Sequence, residues 1–406
     1  MLHSFQEEKI YQRLFMAGLV NGIGDRFSQV ALLTLLLQLT GSGLTVGITL
    51  ALRMLPFLLF GPFSSYLARK YTRKYLLMVT DAVRAVVALS FMFVRSPDDF
   101  WVVYIGTFLL AAGEALYAPV RKASIPAIIH SRNIKEVNSW EQVQTGFVLI
   151  FGALAGGLVS FLFGTQAAFA VNILSFFISA LFIRSIPSLD SPQTNEEDNR
   201  KGMNKEAFFP YVIASSFVLI MVAFETIVPL INGIENVLLS VYAVETFHAG
   251  DLGVGILYSV LGTGFIISPL ITKWITGKFL MFGFICLSME GVILSLISQT
   301  HSFMAVVTLF GILTIFGAVG NTLTDTAVMN NIPSKWLSSY FALTATISNT
   351  GIGVSMFLTG LLLESVKPRA MGLFGGLLYL SSGCVFLILH GILHFFNKNA
   401  VLAGHK

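Results

Sequence analysis

Long runs of apolar residues, each bounded by glycine, proline or charged residues, follow one another along almost the whole chain. A membrane-spanning α-helix needs about 20 consecutive, mostly apolar residues. Each run reaches that length, so the pattern predicts an all-α membrane protein with twelve transmembrane helices, numbered here as predicted spans 1 to 12. The runs lie at about 14–39, 44–66, 75–95, 100–120, 142–163, 167–186, 211–243, 252–273, 279–298, 302–324, 338–363 and 370–395.

One long polar stretch divides these runs into two groups of six. The segment 187–207 carries acidic and basic residues and is predicted to be a flexible cytoplasmic linker. It separates an N-terminal six-helix bundle, 1–186, from a C-terminal six-helix bundle, 208–406. The run 208–243 is too long for one simple span. It is either one helix bent at Pro229 or a short surface segment followed by a span.

Basic residues test this topology, because the cytoplasmic loops of membrane proteins carry an excess of Lys and Arg. With the N-terminus inside, 19 of the 25 Lys and Arg residues fall in cytoplasmic segments, three fall outside and three lie within spans. One missed or extra span near the start would destroy this bias. The distribution therefore indicates twelve spans with both termini in the cytoplasm.

Two stretches of similar sequence open the two groups of spans. Val20–Asp25 reads VNGIGD and Ile231–Asn236 reads INGIEN, and each is followed by a Leu-x-Val-Gly-Ile motif. Parallel repeats predict two pseudo-symmetric halves related by an axis along the membrane normal, with substrate bound between them near the midplane. The alternative is chance similarity between glycine-rich apolar segments.

Composition narrows the possible function classes. Of the 406 residues, 55% are hydrophobic and 11% are charged, and the mean hydropathy is +0.79. Soluble domains carry about 25% charged residues, so a soluble enzyme, a disordered chain and a disulfide scaffold are excluded. The net charge of +4 fits basic cytoplasmic loops and predicts no nucleic-acid partner. No phosphate-binding loop, hydrolase motif or metal-ligand cluster is present, so we expect no enzyme activity, cofactor or metal.

Several local motifs give the chain a resemblance to a known family. They are Gly24-Asp25 in span 1, Leu50 to Pro56 in span 2, Asp81 to Arg84 in span 3, Glu114 to Arg121 in span 4 and Gly152 to Gly157 in span 5. With the two groups of spans, these residues make about residues 11–395 resemble a major facilitator superfamily transporter. The chain is most similar to the exporter branch that includes macrolide efflux proteins and siderophore exporters. The resemblance implies alternating access, with spans 1 and 7 lining a central cavity.

The loop between spans 2 and 3 departs from the pattern of that superfamily. The acidic position that helps to lock the cytoplasmic gate in the family holds Arg69, whereas Arg73 keeps a usual basic position. We therefore expect Asp81 or Glu114 to pair with Arg69 or Arg121 in place of the usual lock. Span 5 has the glycine pair of an antiporter motif without its proline, which weakens a direct assignment of drug/proton antiport.

Charged side chains inside a membrane are costly, so they are candidate functional residues. The predicted spans hold seven acids and three arginines, and surplus carboxylates can bind protons. We expect Asp25 and Glu225, on polar faces of spans 1 and 7, to couple transport to protons; polar contact between helices is the alternative. Glu290, in the normally peripheral span 9, is a weaker candidate. The predicted proton-coupling and cavity residues are Asp25, Glu225, Asn21, Gln29, Asn232, Glu235 and Asn236.

A second set of residues is predicted to form a gating charge network. Arg53 lies in the middle of span 2 and needs an acidic partner, for which Asp25 is nearest in depth. Asp81 and Arg84 share one helix face, as do Glu114 and Arg121; a static anchor is the alternative. The predicted network comprises Arg53, Asp81, Arg84, Glu114, Arg121, Arg69 and Arg73. Gly152, Gly156, Gly255 and Gly262 are predicted to let the two halves approach closely.

The sequence thus predicts a monomeric, proton-coupled secondary transporter that exports an amphipathic, drug-like small molecule across the bacterial inner membrane. One alternative is a narrow-substrate exporter of a siderophore, a peptide antibiotic or a lysophospholipid. Another, from a different class, is a receptor or scaffold that transports nothing; costly buried acids argue against it. The partners expected are the lipid bilayer, the small-molecule substrate and protons.

Overall fold

The structure, a computed structural model, describes residues 5, 7–40, 49, 52–96, 99–187, 189 and 208–403. These residues are almost entirely helical, and no strand occurs among them. The predicted linker lies largely outside the described residues, as does the first Leu-x-Val-Gly-Ile motif.

The helices before the predicted linker follow the apolar runs closely. They are α1 (Lys9–Thr40), α2 (Leu55–Lys70), α3 (Arg73–Ser90), α4 (Phe100–Ile128), α5 (Ile134–Phe147), α6 (Ala153–Phe163) and α7 (Thr165–Arg184), with a π-helical segment, Val148–Gly152, between α5 and α6.

The helices after the linker continue the pattern. They are α8 (Phe208–Ala214), α9 (Ser216–Val241), α10 (Gly250–Ile267), α11 (Pro269–Thr272), α12 (Phe279–Gln299), α13 (Phe303–Asn331), α14 (Ser334–Leu363) and α15 (Pro368–Ala403).

Among the described residues, ten segments are long and apolar enough to cross a membrane. They occupy the positions of predicted spans 3 to 12, and α1 and α2 occupy those of spans 1 and 2. The ten segments are 73–93, 100–128, 131–163, 165–184, 216–241, 255–272, 279–299, 303–331, 334–363 and 368–392. The structure therefore confirms a helical membrane protein.

The long run 208–243 is two helices. Ser215, between α8 and α9, has an extended backbone, and its side chain accepts a hydrogen bond from the backbone N–H of Val218 at 3.4 Å. Such an N-cap satisfies one of the free N–H groups at a helix start. A short helix followed by a span is therefore the correct one of the two interpretations, and Pro229 lies inside the second helix.

The described chain divides into two compact units. One comprises 1–137, 144–199 and 333–350, and the other comprises 138–143, 200–332 and 351–406. In the first unit, α1, α7 and the short 3-10 helix that follows α3, Phe91–Phe93, contribute to a core that includes Phe27, Phe91 and Phe169. In the second, Phe284 stacks on Phe386 with ring centroids 5.3 Å apart.

Two of the predicted packing glycines lie within one unit. A Cβ added at Gly152 would lie 2.8 Å from the Arg26 side chain, and one at Gly156 would lie 2.9 Å from the backbone of Phe27. Both glycines therefore let α1 approach the chain around α6 within the first unit, which differs from the expected contact between halves. A Cβ added at Gly255 would meet nothing within 4 Å, and Gly262 is buried.

Glu8 attaches the chain before α1 to the loop between α4 and α5. Its buried carboxylate accepts hydrogen bonds from the backbone N–H of His130 and the side chain of Asn133, both at 2.9 Å, and lies 2.8 Å from Nδ1 of His130. Burial by itself would raise the pKa of Glu8, but these hydrogen bonds and the charge of His130 outweigh it and leave the pKa below its usual value.

Candidate functional site

Arg84 of α3 lies at the centre of a buried charge cluster in the first unit. Its side chain is 1% exposed and forms ion pairs with Asp25 of α1 and with Glu114 of α4, the latter at 2.9 Å. One guanidinium therefore joins carboxylates from two other helices. Its rigid fork of N–H donors suits this shared contact better than the point charge of a lysine.

The apolar surroundings of Arg84 hold its side chain in place. A Cβ added at Gly113 of α4 would lie 2.6 Å from Cγ of Arg84, so only a glycine leaves room for the arginine stem. The guanidinium carbon lies 4.6 Å from the ring centroid of Phe176 and 5.8 Å from that of Tyr117. Cations are attracted to aromatic faces at such distances, so these rings stabilise the buried charge.

Asn21 of α1 links the arginine to a third carboxylate. Its side-chain amide donates to Asp81 at 2.7 Å, and its amide oxygen accepts from Arg84 at 3.2 Å. Ser179 of α7 donates to the other oxygen of Asp81 at 2.7 Å. Asp81 itself is fully buried. We call Asn21, Asp25, Asp81, Arg84, Glu114 and Ser179 the Arg84 cluster.

The Arg84 cluster contains more acids than bases. With all groups ionised, Asp25, Asp81 and Glu114 carry three negative charges against the single positive charge of Arg84. Surplus charge in a low-dielectric interior is costly. Binding a proton or a cationic group relieves that cost, so the cluster has the chemistry of an exchange site.

A narrow cleft opens onto the cluster. Its lining includes Asp25, Glu114, Gln29, Arg53 and Phe57. The cleft thus presents both acidic and basic groups beside apolar surface. Gln29 also accepts a hydrogen bond from Arg26 at 2.8 Å. Among the described residues, no group of three or more His, Cys, Asp or Glu side chains is arranged to hold a metal ion.

Two of the pairings expected from the sequence are wrong. Asp25 pairs with Arg84 rather than with Arg53, which lines the same cleft without an ion pair to any described carboxylate. Arg84 also takes Glu114, so the expected Glu114–Arg121 pair does not form. The sequence places these charged residues at similar depths in the membrane but does not reveal which helix faces are in contact.

The remaining predicted gating arginines have other partners. Arg121 donates to the side chain of Gln144 at 3.0 Å, and Arg73 donates to the backbone carbonyl of Ala123 at 2.9 Å. Asp81 has the partners Asn21 and Ser179 described above rather than Arg121. The side chain of Arg69 lies outside the described residues.

A second polar group lies in the other unit, on α9. The hydroxyl of Tyr379 donates to Glu235 at 2.9 Å and also bonds the side-chain oxygen of Asn232. Asn236 donates to the backbone oxygen of Asn232 at 2.8 Å. Glu225, two turns earlier on α9, is half-buried. The structure therefore brings Asn232, Glu235 and Asn236 together, while Glu225 lies apart from them along the helix.

Sequence reasoning missed several residues of these sites. Ser179 ends a polar face on α7 that begins at Asn172 and Ser175, and this spacing was a usable signal. Tyr379 is a polar aromatic residue in the middle of an apolar run, where its hydroxyl needs a partner. Nothing in the sequence marks Phe176 among the many phenylalanines.

Comparisons with known proteins agree with this architecture. The chain is 26% identical over 264 residues to the putative bacilysin exporter BacE of Bacillus subtilis, covering 62% of this chain and 63% of that protein. It is 22% identical over 392 residues to macrolide efflux protein A of Streptococcus pyogenes, covering 91% and 92%. The matched part spans 43% of the length of the uncharacterized MFS-type transporter YfiS of Bacillus subtilis (strain 168) and 63% of that of BacE.

Solved structures show the same fold. The human organic anion transporter MFSD10 (TETRAN) superimposes with a TM-score of 0.75 at 12% identity, over 93% of this chain and 98% of the other. The sequence profile of the Major Facilitator Superfamily matches residues 14–356. The chain therefore belongs to the Major Facilitator Superfamily of transporters, whose members are not enzymes.

Proposed function

We propose that this protein is a proton-coupled exporter of an amphipathic small molecule, working by alternating access as a monomer in the bacterial inner membrane. In this proposal twelve spans form two pseudo-symmetric six-helix halves, and both termini lie in the cytoplasm. Asp25 exchanges the coupling proton, and Glu225 contributes a second acidic group.

The observation that carries the proposal is the shared arginine at the cleft. Arg84 holds Asp25 and Glu114 at once, and both acids line the cleft. A proton that binds Asp25 neutralises it and frees Arg84 to bind Glu114 alone. An arriving cationic group reverses the exchange by favouring the ionised carboxylates. Proton and substrate thereby compete for the same negative charge, which is the requirement for antiport.

The lining of the cleft supports an amphipathic substrate. Leu32, Leu110 and Phe57 supply apolar surface beside Asp25 and Glu114. Relatives are described as a macrolide efflux protein and a putative bacilysin exporter. These descriptions support outward transport of a drug-like compound by this chain.

The test is uptake of lipophilic cationic dyes into inverted membrane vesicles driven by a proton gradient. We expect wild-type protein to take up dye and an uncoupler to abolish uptake. Asp25→Asn removes the exchangeable charge and should lower the rate at least tenfold. Glu225→Gln should lower it as well.

Glu364→Gln is the matched control, because Glu364 is an exposed carboxylate just after α14. This variant should transport like wild type. Uptake that survives the uncoupler, or an Asp25→Asn variant as active as Glu364→Gln, would refute proton exchange at Asp25. Folding of each variant is checked by size-exclusion chromatography before transport is compared.

The second candidate is export of one narrow substrate, such as a peptide antibiotic, and the bacilysin exporter relative favours it. Folded wild-type protein that ignores every dye yet exchanges protons when one peptide antibiotic, siderophore or lysophospholipid is added would establish this candidate. A protein that moves no compound under any gradient would point to a receptor or scaffold.

A further inference from the structure

A buried acid of the second unit has no role in the site described above. Glu290 lies in the middle of α12, and its side chain is 8% exposed. No hydrogen bond or ion pair from a described residue reaches its carboxyl group. The carboxyl instead faces α13, where a Cβ added at Gly317 would lie 3.2 Å from Oε2. Glu290 is thus an unpartnered carboxyl group pressed against the glycine backbone of a neighbouring helix.

A second carboxyl group lies near Glu290. Glu235 of α9 and Glu290 of α12 lie within range of electrostatic interaction. Leu294, one turn after Glu290, lines the same small cavity as Glu235. Tyr379 donates its hydroxyl hydrogen to Glu235. An acid of α9 held by Tyr379 and the buried Glu290 of α12 therefore lie in the same region of the second unit.

No basic side chain compensates these acids. The membrane-crossing parts of α9, α12 and α13 contain no Lys or Arg, and on α14 and α15 the basic residues lie near the helix ends. Other titratable groups of this region include Tyr242, which lines the same small cavity as Glu235, and Glu225 on α9. Further ones are Cys286 on the same helix as Glu290, Asp325 towards the far end of α13 and His390, whose ring packs against Phe284. This differs from the first unit, where Arg84 offsets its acids.

The cost of burying charge decides the protonation state of Glu235 and Glu290. Moving an ionised carboxylate out of water without a partner costs several kcal/mol, and two like charges side by side cost more. A protonated carboxyl group avoids this cost and remains able to release its proton when water or a cation reaches it. We propose that Glu290 and Glu235 form a second proton-binding site, confined to the second unit, with Glu290 holding a proton in the resting protein.

This inference rests on the proposed function, because the proton-binding site is where the second unit would hold coupling protons. Its test does not depend on transport. A protonated carboxyl group has its own infrared carbonyl band, separate from that of carboxylates. Wild-type protein in lipid membranes should show this band at neutral pH.

Glu290→Gln should fold, because the amide replaces a neutral carboxyl group of the same shape. It should lose part of the band, because the variant no longer has a carboxyl group at this position. Glu290→Met tests the same point if the amide disturbs folding, since methionine is neutral and similarly long. Glu235→Gln should keep the part of the band that belongs to Glu290, and the exposed control Glu364→Gln should remove none. Wild-type protein without the band, or a folded Glu290→Gln or Glu290→Met variant with the full band, overturns the proposal.

Transport then separates the two proposals. If dye uptake occurs, Glu290→Gln should lower the number of protons exchanged per dye molecule, and an unchanged number would refute a role of the pair in coupling. If no dye or metabolite is moved but the band behaves as expected, the proposed function fails while the proton-binding site stands.

Discussion

Replacing Arg84 with methionine tests whether the charge cluster organises the first unit. Methionine keeps the unbranched stem beside Gly113 but removes the positive charge. Breaking a buried ion pair by removing one partner costs about 3–5 kcal/mol, because the other charge stays buried without compensation. Arg84 has two such partners, yet the Glu114 side chain is 35% exposed and water screens its share. We therefore expect Arg84→Met to lower the free energy of unfolding by about 4 kcal/mol. Most of this loss arises because Asp25 stays in the cluster without its partner.

The assay is the free energy of unfolding from titration of the purified protein with SDS in mixed micelles. Arg95→Met is the matched control, since Arg95 is exposed after α3 and should change stability by less than about 0.5 kcal/mol.

A double variant makes the reasoning refutable. Asp25→Asn combined with Arg84→Met removes the stranded charge and should recover about 1–3 kcal/mol relative to Arg84→Met alone. If Arg84→Met is as stable as Arg95→Met, or if the double variant recovers nothing, the buried ion pair does not stabilise the first unit in the way described.

Two further predictions concern stability. Because the pKa of Glu8 is lowered in the folded protein, its contribution to stability is complete above the unfolded pKa and is lost as pH falls through the folded value. Glu8→Gln should therefore lose stability at neutral pH and flatten the acid side of a melting-temperature profile; a variant with the wild-type profile would contradict this. Gly291→Ala should destabilise by about 1–3 kcal/mol, because its Cβ would lie 2.3 Å from a backbone nitrogen of α15, which cannot move aside. Gly255→Ala meets nothing within 4 Å and is the control; equal melting temperatures for the two alanine variants would refute the close helix contact.

The sequence alone was sufficient for the fold class. Apolar runs of span length fix where helices form, because the backbone must satisfy its hydrogen bonds internally in lipid. The local motifs around Asp25, Arg84 and Glu114 were sufficient to indicate the superfamily, which the profile match confirms. The cost of charge in a membrane also marks the charged residues of the Arg84 cluster as candidates, because each lies within an apolar run.

Only the tertiary structure decided which of those residues meet. Asp25 binds Arg84 instead of Arg53, and Asn21 and Ser179 donate hydrogen bonds to Asp81. Helical periodicity gives the face of each residue on its own helix, but the rotation of each helix is set by side-chain packing against its neighbours. Gly113 fixes the position of Arg84 in this way, because the missing Cβ leaves space for the arginine stem. The positions of the spans therefore follow from the apolar pattern of the sequence. Which charged residues pair with one another depends on how the helices pack.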